Sequence, residues 1–84
     1  MNTQDEPTMK FTPHFTDYKE RDKFIIENAD YFVLTKVRNR PHRYEFPTLA
    51  EARAAAPCLM NEHGGTWMLY AVYGQQDTFV EYFL

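Results

Sequence analysis

Four positively charged side chains lie close together in the first half of this 84-residue chain. They are Lys36, Arg38, Arg40 and Arg43, and no acidic residue separates them, although the whole chain has a formal charge of −3. Such side chains bind phosphates or acidic protein surfaces, and the ring of the neighbouring Tyr44 can stack on a base. The stretch is therefore a candidate binding site for a protein or for nucleic acid. A solvated hairpin whose charges keep a sheet edge from aggregating would carry the same residues.

A second group of reactive side chains comprises Cys58, Glu62 and His63. A zinc site needs four well-spaced ligands, or three and a water, and a nucleophilic cysteine needs a base within reach. Five positions separate Cys58 from His63, which does not place both side chains squarely on one helix face. The chain contains no serine, and its Gly64-Gly65 pair follows a predicted helix, whereas a phosphate-binding loop precedes one. We therefore predict a protein that is not an enzyme, has no metal or cofactor, and has no evident small-molecule substrate.

The length predicts one domain with a single core, to which an aromatic content of 17% contributes large buried rings. A lone cysteine excludes an internal disulfide, and no apolar run approaches the length of a membrane span. The polar, acidic N-terminus does not resemble a signal peptide. We expect a soluble cytoplasmic protein with no membrane partner, in which residues 1–10 form a disordered tail and residues 11–84 form the domain.

Two helices are predicted from capping residues and apolar spacing. The first covers residues 17–29, with Thr16 or Asp17 as its N-cap. The second begins after Thr48, which forms a capping-box pattern with Glu51, and ends at Gly64-Gly65. Its apolar positions recur at helical spacing: Leu49, Ala52, Ala55, Ala56, Leu59 and Met60. Pro57 interrupts this pattern and is expected either to kink the helix or to end it.

Four strands are predicted from apolar alternation between turn residues. They cover residues 31–38, 44–46, 66–73 and 78–83, and residues 38–41 and 74–77 are the expected loops. The resulting order is α-β-β-α-β-β, which predicts an α+β domain with a four-stranded, mainly antiparallel sheet and both helices on one face. Residues 30–37 and 66–73 align at an offset of 36, which is consistent with a duplicated αββ unit or with chance similarity between two hairpins.

The sheet face that the helices leave uncovered is predicted to be rich in large apolar side chains. Its candidates are Phe32, Leu34, Met68, Tyr70 and Tyr82. A patch of this kind indicates a homodimer or a partner interface. Alternatively, residues 1–16 fold over it through Phe11 and Phe15.

The run RYEFPTLAEARAAA, followed by the tryptophan-led WMLYAV, resembles small uncharacterised proteins of phages and proteobacteria over about residues 31–73. The shared features are a helix cap, an alanine-rich helix and a core strand, so the resemblance brings no functional residue. It implies an accessory or mobile-element protein. Our first hypothesis is a non-catalytic binding protein that contacts a protein partner or itself, and such a protein can act as an inhibitor. The alternative is a nucleic-acid-binding module that uses the basic hairpin of residues 36–43.

Overall fold

The chain forms an antiparallel four-stranded sheet with two helices, in the predicted order α-β-β-α-β-β. The computed structural model describes residues 14–84, apart from the side chains of residues 39–41. The elements are α1 (Tyr18–Glu27), β1 (Tyr31–Lys36), β2 (Asn39–Phe46), α2 (Leu49–His63), β3 (Trp67–Tyr73) and β4 (Gln76–Phe83). The α+β prediction is confirmed. The predicted disordered tail of residues 1–10 and the proposed anchor Phe11 lie outside the described residues.

Side chains fix the start of each helix. The Asp17 carboxylate accepts a hydrogen bond from the Lys19 amide (3.0 Å), and the Thr48 hydroxyl accepts one from the Glu51 amide (3.1 Å). These bonds satisfy amides that have no partner within the helix. Helix α2 ends at Gly64, whose φ of 69° lies in the left-handed region that glycine adopts without strain.

Pro57 does not end α2. The helix continues through it for all 15 residues from Leu49 to His63. Pro57 is exposed, so its ring points away from the core. It has no amide hydrogen to donate to the carbonyl of Arg53, four residues earlier. Burial of Ala52 and Ala56 on the opposite side holds α2 against the sheet and offsets this missing bond.

The first hairpin has a tighter turn than the sequence predicts. Its turn is Val37-Arg38, rather than residues 38–41, and β2 already begins at Asn39. Lys36 pairs with Asn39, but Thr35 pairs with Arg43, so residues 40–42 form a bulge in β2. The predicted short partner strand of residues 44–46 is therefore only the regular end of a longer strand.

The second hairpin also contains a bulge. Gly74-Gln75 forms its turn, and the pairing of β3 with β4 shifts between Leu69 and Tyr70. Leu69 pairs with Glu81, while Tyr70 pairs with Phe79. Simple alternation along residues 78–83 would put Phe79 on the same face as Glu81, but the bulge turns Phe79 to the side of the sheet that carries Tyr82.

The sheet has the order β2-β1-β3-β4, so the two hairpins meet through the central strands β1 and β3. Each helix packs on the hairpin of the other half of the chain. Helix α1 packs on β3 and β4, and α2 packs mainly on β1 and β2. This arrangement has the symmetry of a duplicated αββ unit. However, the offset of 36 would superpose the core residue Phe32 on Met68, which lies on the opposite face, so only an odd offset keeps the faces matched.

The core lies between both helices and a single face of the sheet. Its fully or nearly buried members are Ile25, Phe32, Leu34, Ala52, Ala56, Trp67, Leu69 and Ala71. Phe32 pairs with Ala71 and Leu34 with Leu69, which places both beneath the helices. The prediction that Phe32 and Leu34 line the uncovered face is therefore wrong. Strands β1 and β3 are each apolar on both sides, so alternation alone could not show which side of β1 joins which side of β3.

Candidate interaction surface

The face of the sheet opposite the helices, termed the open face, carries no helix in the described part of the chain. Strand pairing assigns it Tyr31, Val33, Thr35, Arg43, Glu45, Met68, Tyr70, Val72, Asp77, Phe79 and Tyr82. Three of the five predicted apolar candidates, Met68, Tyr70 and Tyr82, lie on this face. Strands β1 and β3 are thus apolar on both sides, although the helices cover only one side.

Three aromatic rings form a cluster at the β4 side of the open face. The centroids of Phe79 and Tyr82 are 4.7 Å apart, and those of Tyr70 and Phe79 are 6.0 Å apart with an edge-to-face angle of 80°. Phe79 is 41% exposed and Tyr82 is 56% exposed. Sequence reasoning missed Phe79, because only the bulge in β4 brings it beside Tyr82 and the sequence gives no signal for that bulge.

A groove of about 500 Å³ crosses the centre of the open face. Its floor is apolar and comes from the central strands, through Val33, Met68 and Val72, while Tyr70 donates a hydrogen bond to the Met68 sulfur (3.7 Å). Arg38 and Arg43 line it as well, and so does Asp77. The groove therefore joins an apolar floor to charges of both signs.

Lys36 borders the same groove, but it pairs with the buried Trp67, which directs its side chain to the helix side of the sheet. Its ammonium donates a hydrogen bond to the carbonyl of His63 (2.9 Å), one of the carbonyls at the end of α2. Its Cε also lies 2.7 Å from where a Cβ on Gly65 would stand. Lys36 thus holds the end of α2 on the sheet, and its charge is already used within the fold.

Of the remaining basic residues of the hairpin, Arg38 and Arg43 both line the groove but differ in how free their charges are. Arg43 lies on the open face and bonds to Glu45; this bond, with a smaller effect of Tyr31, raises the pKa of the guanidinium above its usual value. Arg38 is exposed at the turn, with a φ of 70° that L-residues rarely adopt. Arg40 lies in β2, and its side chain is outside the described set. Among Lys36, Arg38 and Arg43, Arg38 is the one whose charge has no bond within the described part of the fold.

Tyr44 lies on the helix side of β2, because it pairs with Leu34. Its hydroxyl is 3.4 Å from Nε2 of His63, whose ring centroid is 4.4 Å from that of His42. These rings pack around Trp67, whose indole donates a hydrogen bond to the carbonyl of Gly64 (3.0 Å). Tyr44 and Arg43 therefore lie on opposite faces of β2, because successive strand residues point to opposite sides, and a binding site that uses both stays a prediction.

The Cys58, Glu62 and His63 group does not converge. Cys58 is exposed on α2, and the nearest approach between the others is 3.9 Å, from Glu62 to His63. No group of three or more His, Cys, Asp or Glu side chains within residues 14–84 is placed to hold a metal ion. None of the helices described is long and apolar enough to cross a membrane.

No protein-family model, curated protein or solved structure matches this chain. The resemblance to small phage and proteobacterial proteins therefore stays a prediction, and the geometry of the open face is the main guide to function.

Proposed function

We propose that this protein is a non-catalytic binding protein that docks a protein partner on the open face of its sheet. The observation that supports this most is the exposure of Phe79 and Tyr82 beside a groove with an apolar floor and charged borders. Monomeric proteins rarely leave a contiguous aromatic and aliphatic patch in water, and aromatic anchors dominate the binding energy of protein interfaces. An accessory protein that modulates or inhibits its partner by occupying a surface would need no more than this face.

The charged residues at the groove fix how the partner is positioned on the face, and they contribute only a small part of the affinity. Arg38 offers a guanidinium group to acidic side chains of a partner, while Asp77 offers a carboxylate to a basic one. Exposed pairs of this kind steer encounter and reject mismatched surfaces, but each adds little binding free energy. The aromatic cluster is thus the part of the surface on which binding should depend most strongly.

The test compares two exposed tyrosines. Tyr82→Asp puts a charge into the aromatic cluster, whereas Tyr18→Asp puts the same charge on α1, where Tyr18 is 81% exposed and away from the open face. Tagged wild-type protein and both variants are used to capture proteins from lysate, and each captured protein is purified and titrated against the three forms by calorimetry. A partner that binds wild type and the Tyr18 variant but not the Tyr82 variant supports the proposal. Equal binding by all three forms contradicts it.

Nucleic-acid binding through the basic hairpin is the second candidate, and the exposed Arg38 at the turn favours it. Against it, Lys36 is bonded within the fold, and Arg43 is paired with Glu45. Binding of labelled single- and double-stranded oligonucleotides, followed by anisotropy at several salt concentrations, tests this candidate. Affinity that falls with salt and that drops in Arg38→Ala supports it; no binding at low salt removes it.

A further inference from the structure

Opposite charges occupy diagonally opposite corners of the open face. Arg43 lies on the edge strand β2 at the level of Thr35, where it is bonded to Glu45, and among the side chains described at this corner Arg38, just beyond it at the first turn, carries the free positive charge. Asp77 lies on the other edge strand, β4, at the level of Val72, at the far end of the sheet. Both corners border the same groove. A surface with this distribution is electrostatically complementary to a copy of itself.

We propose that the occupant of the open face is a second copy of this chain, packed face to face so that the strands of the two sheets cross at about 90°. The inference rests on the proposed function, because it uses the same face. The two-fold axis lies between the two sheets and parallel to them. It runs along the diagonal of the open face that begins at the corner with Tyr82, so it places the positive corner of each copy over the negative corner of the other. Arg38 of each copy, beside the Arg43–Glu45 pair, then lies near Asp77 of the other.

The same axis fixes the other contacts. On the open face, strands are about 4.8 Å apart and successive side chains about 6.6 Å apart along a strand. Exchange across the diagonal places Phe79 of one copy over Met68 of the other, a favourable ring–sulfur contact. Tyr82 lies close to the axis and meets its own copy. Glu45 faces the Tyr31 hydroxyl of the second copy, so the two Glu45 carboxylates do not oppose each other.

The size of the face suits a reversible dimer. Four strands about 4.8 Å apart and about seven residues long at 3.3 Å per residue span roughly 400 Å² in projection. Two such rugged faces bury roughly 1,000 Å² together, which is near the lower limit for a specific interface. Because each chain also has a formal charge of −3, the two copies repel each other at long range. We therefore expect dissociation in the micromolar range.

Sedimentation equilibrium of the full chain, from low micromolar to submillimolar concentration, measures the association directly. Wild type should reach twice the mass of one chain. Tyr82→Asp, which opposes two carboxylates at the axis, should raise the dissociation constant by about a hundredfold, and Asp77→Arg, which replaces two attractions by repulsions, by about tenfold. Tyr18→Asp is the matched control and should associate as wild type does. Added salt should reduce the effect of Asp77→Arg more than that of Tyr82→Asp.

Thiol crosslinking tests the axis itself. Tyr82→Cys in a Cys58→Ser background places one thiol near its own copy, so a short bismaleimide reagent should convert most of the protein to a covalent dimer. Tyr18→Cys in the same background is the control and should remain largely uncrosslinked. Facing sheets lie about 10 Å apart, beyond the roughly 7 Å between Cα atoms that a direct disulfide needs, so the reagent has to span the gap. Efficient crosslinking at position 82 alone therefore supports the orthogonal arrangement, and equal crosslinking at both positions contradicts it.

A wild-type chain that stays monomeric at every concentration overturns the second copy as occupant, and so does a dimer that is indifferent to both Tyr82→Asp and Asp77→Arg. A monomer that binds another purified protein through Tyr82 keeps the proposed function while refuting the dimer. A monomer that begins to associate when Phe11→Asp is introduced assigns the face to the N-terminal segment instead. A monomer that binds nothing refutes both proposals.

Discussion

Leu34→Ala tests which side of β1 belongs to the core. Leu34 is fully buried, pairs with Leu69 on one side and Tyr44 on the other, and lies in the same cluster as Ile25 and Ala56 of the helices. Removing three carbons at such a site leaves a cavity that rigid neighbours cannot fill, which costs about 3 to 4 kcal/mol. A domain of this length has a total free energy of unfolding of about 4 to 13 kcal/mol, so the variant should be marginal.

Urea unfolding followed by tryptophan fluorescence measures this loss, because Trp67 is fully buried in the same core. With a slope of about 1 kcal/mol per molar urea, the midpoint should fall by about 3 M. Tyr82→Ala is the control: it removes a larger side chain from the exposed cluster, yet it should cost only about 1 kcal/mol. If Leu34→Ala cost no more than Tyr82→Ala, Leu34 would not be covered by the helices, and the assignment of the two faces would be refuted.

Three further substitutions concern the backbone. Pro57→Ala restores an amide that can donate to the carbonyl of Arg53, so the free energy of unfolding of the protein, measured by urea titration, should rise by about 2 kcal/mol. No rise would mean that the helix is already distorted at this position. At the left-handed turn position, Arg38→Gly should be more stable than Arg38→Ala by about 1 kcal/mol, seen as a difference of about 4 to 8 °C in melting temperature; equal values would contradict the positive φ. Thr48→Ala should cost about 1 kcal/mol while Thr48→Asn costs little, and equal losses would show that the cap is not used.

Element order and helix caps could be predicted because each depends on nearby residues. Asp17 and Thr48 have side-chain acceptors, and Gly64 ends α2 as expected. The exception is Pro57, where the packing of α2 on the sheet outweighs a local helix-breaking preference.

The composition of the open face could be predicted only in part, because it depends on how strands pair. A strand with a polar side reveals its orientation, but Phe32 and Leu34 alternate with Tyr31 and Val33, which are also apolar. If the pairing of β1 shifted by one residue, its other apolar side would face the helices, and the sequence would fit that arrangement equally well. The bulge that brings Phe79 to the open face is likewise a property of the pairing.

The basic hairpin illustrates a different limit. Charge spacing along the chain suggested one cluster, yet Lys36 bonds to the end of α2 and Arg43 bonds to Glu45 on the other face. Two charges an odd number of residues apart in one strand point to opposite faces of the sheet. A bulge between them reverses this rule. The sequence distance between positive charges is therefore a poor guide to their distance in space.

The crossing of the helices between the halves has a consequence for the order in which the chain folds. Helix α1 finds its apolar partners on β3 and β4, near the opposite end of the sequence, so it cannot bury Ile25 until the second hairpin exists. Neither αββ half, made alone, would have the surface that its own helix needs. Contacts this distant along the chain carry a large loop-closure entropy and slow the search for the native state. We therefore expect a single cooperative unfolding transition, slow folding for so short a chain, and recovery of structure when two separately produced halves are mixed.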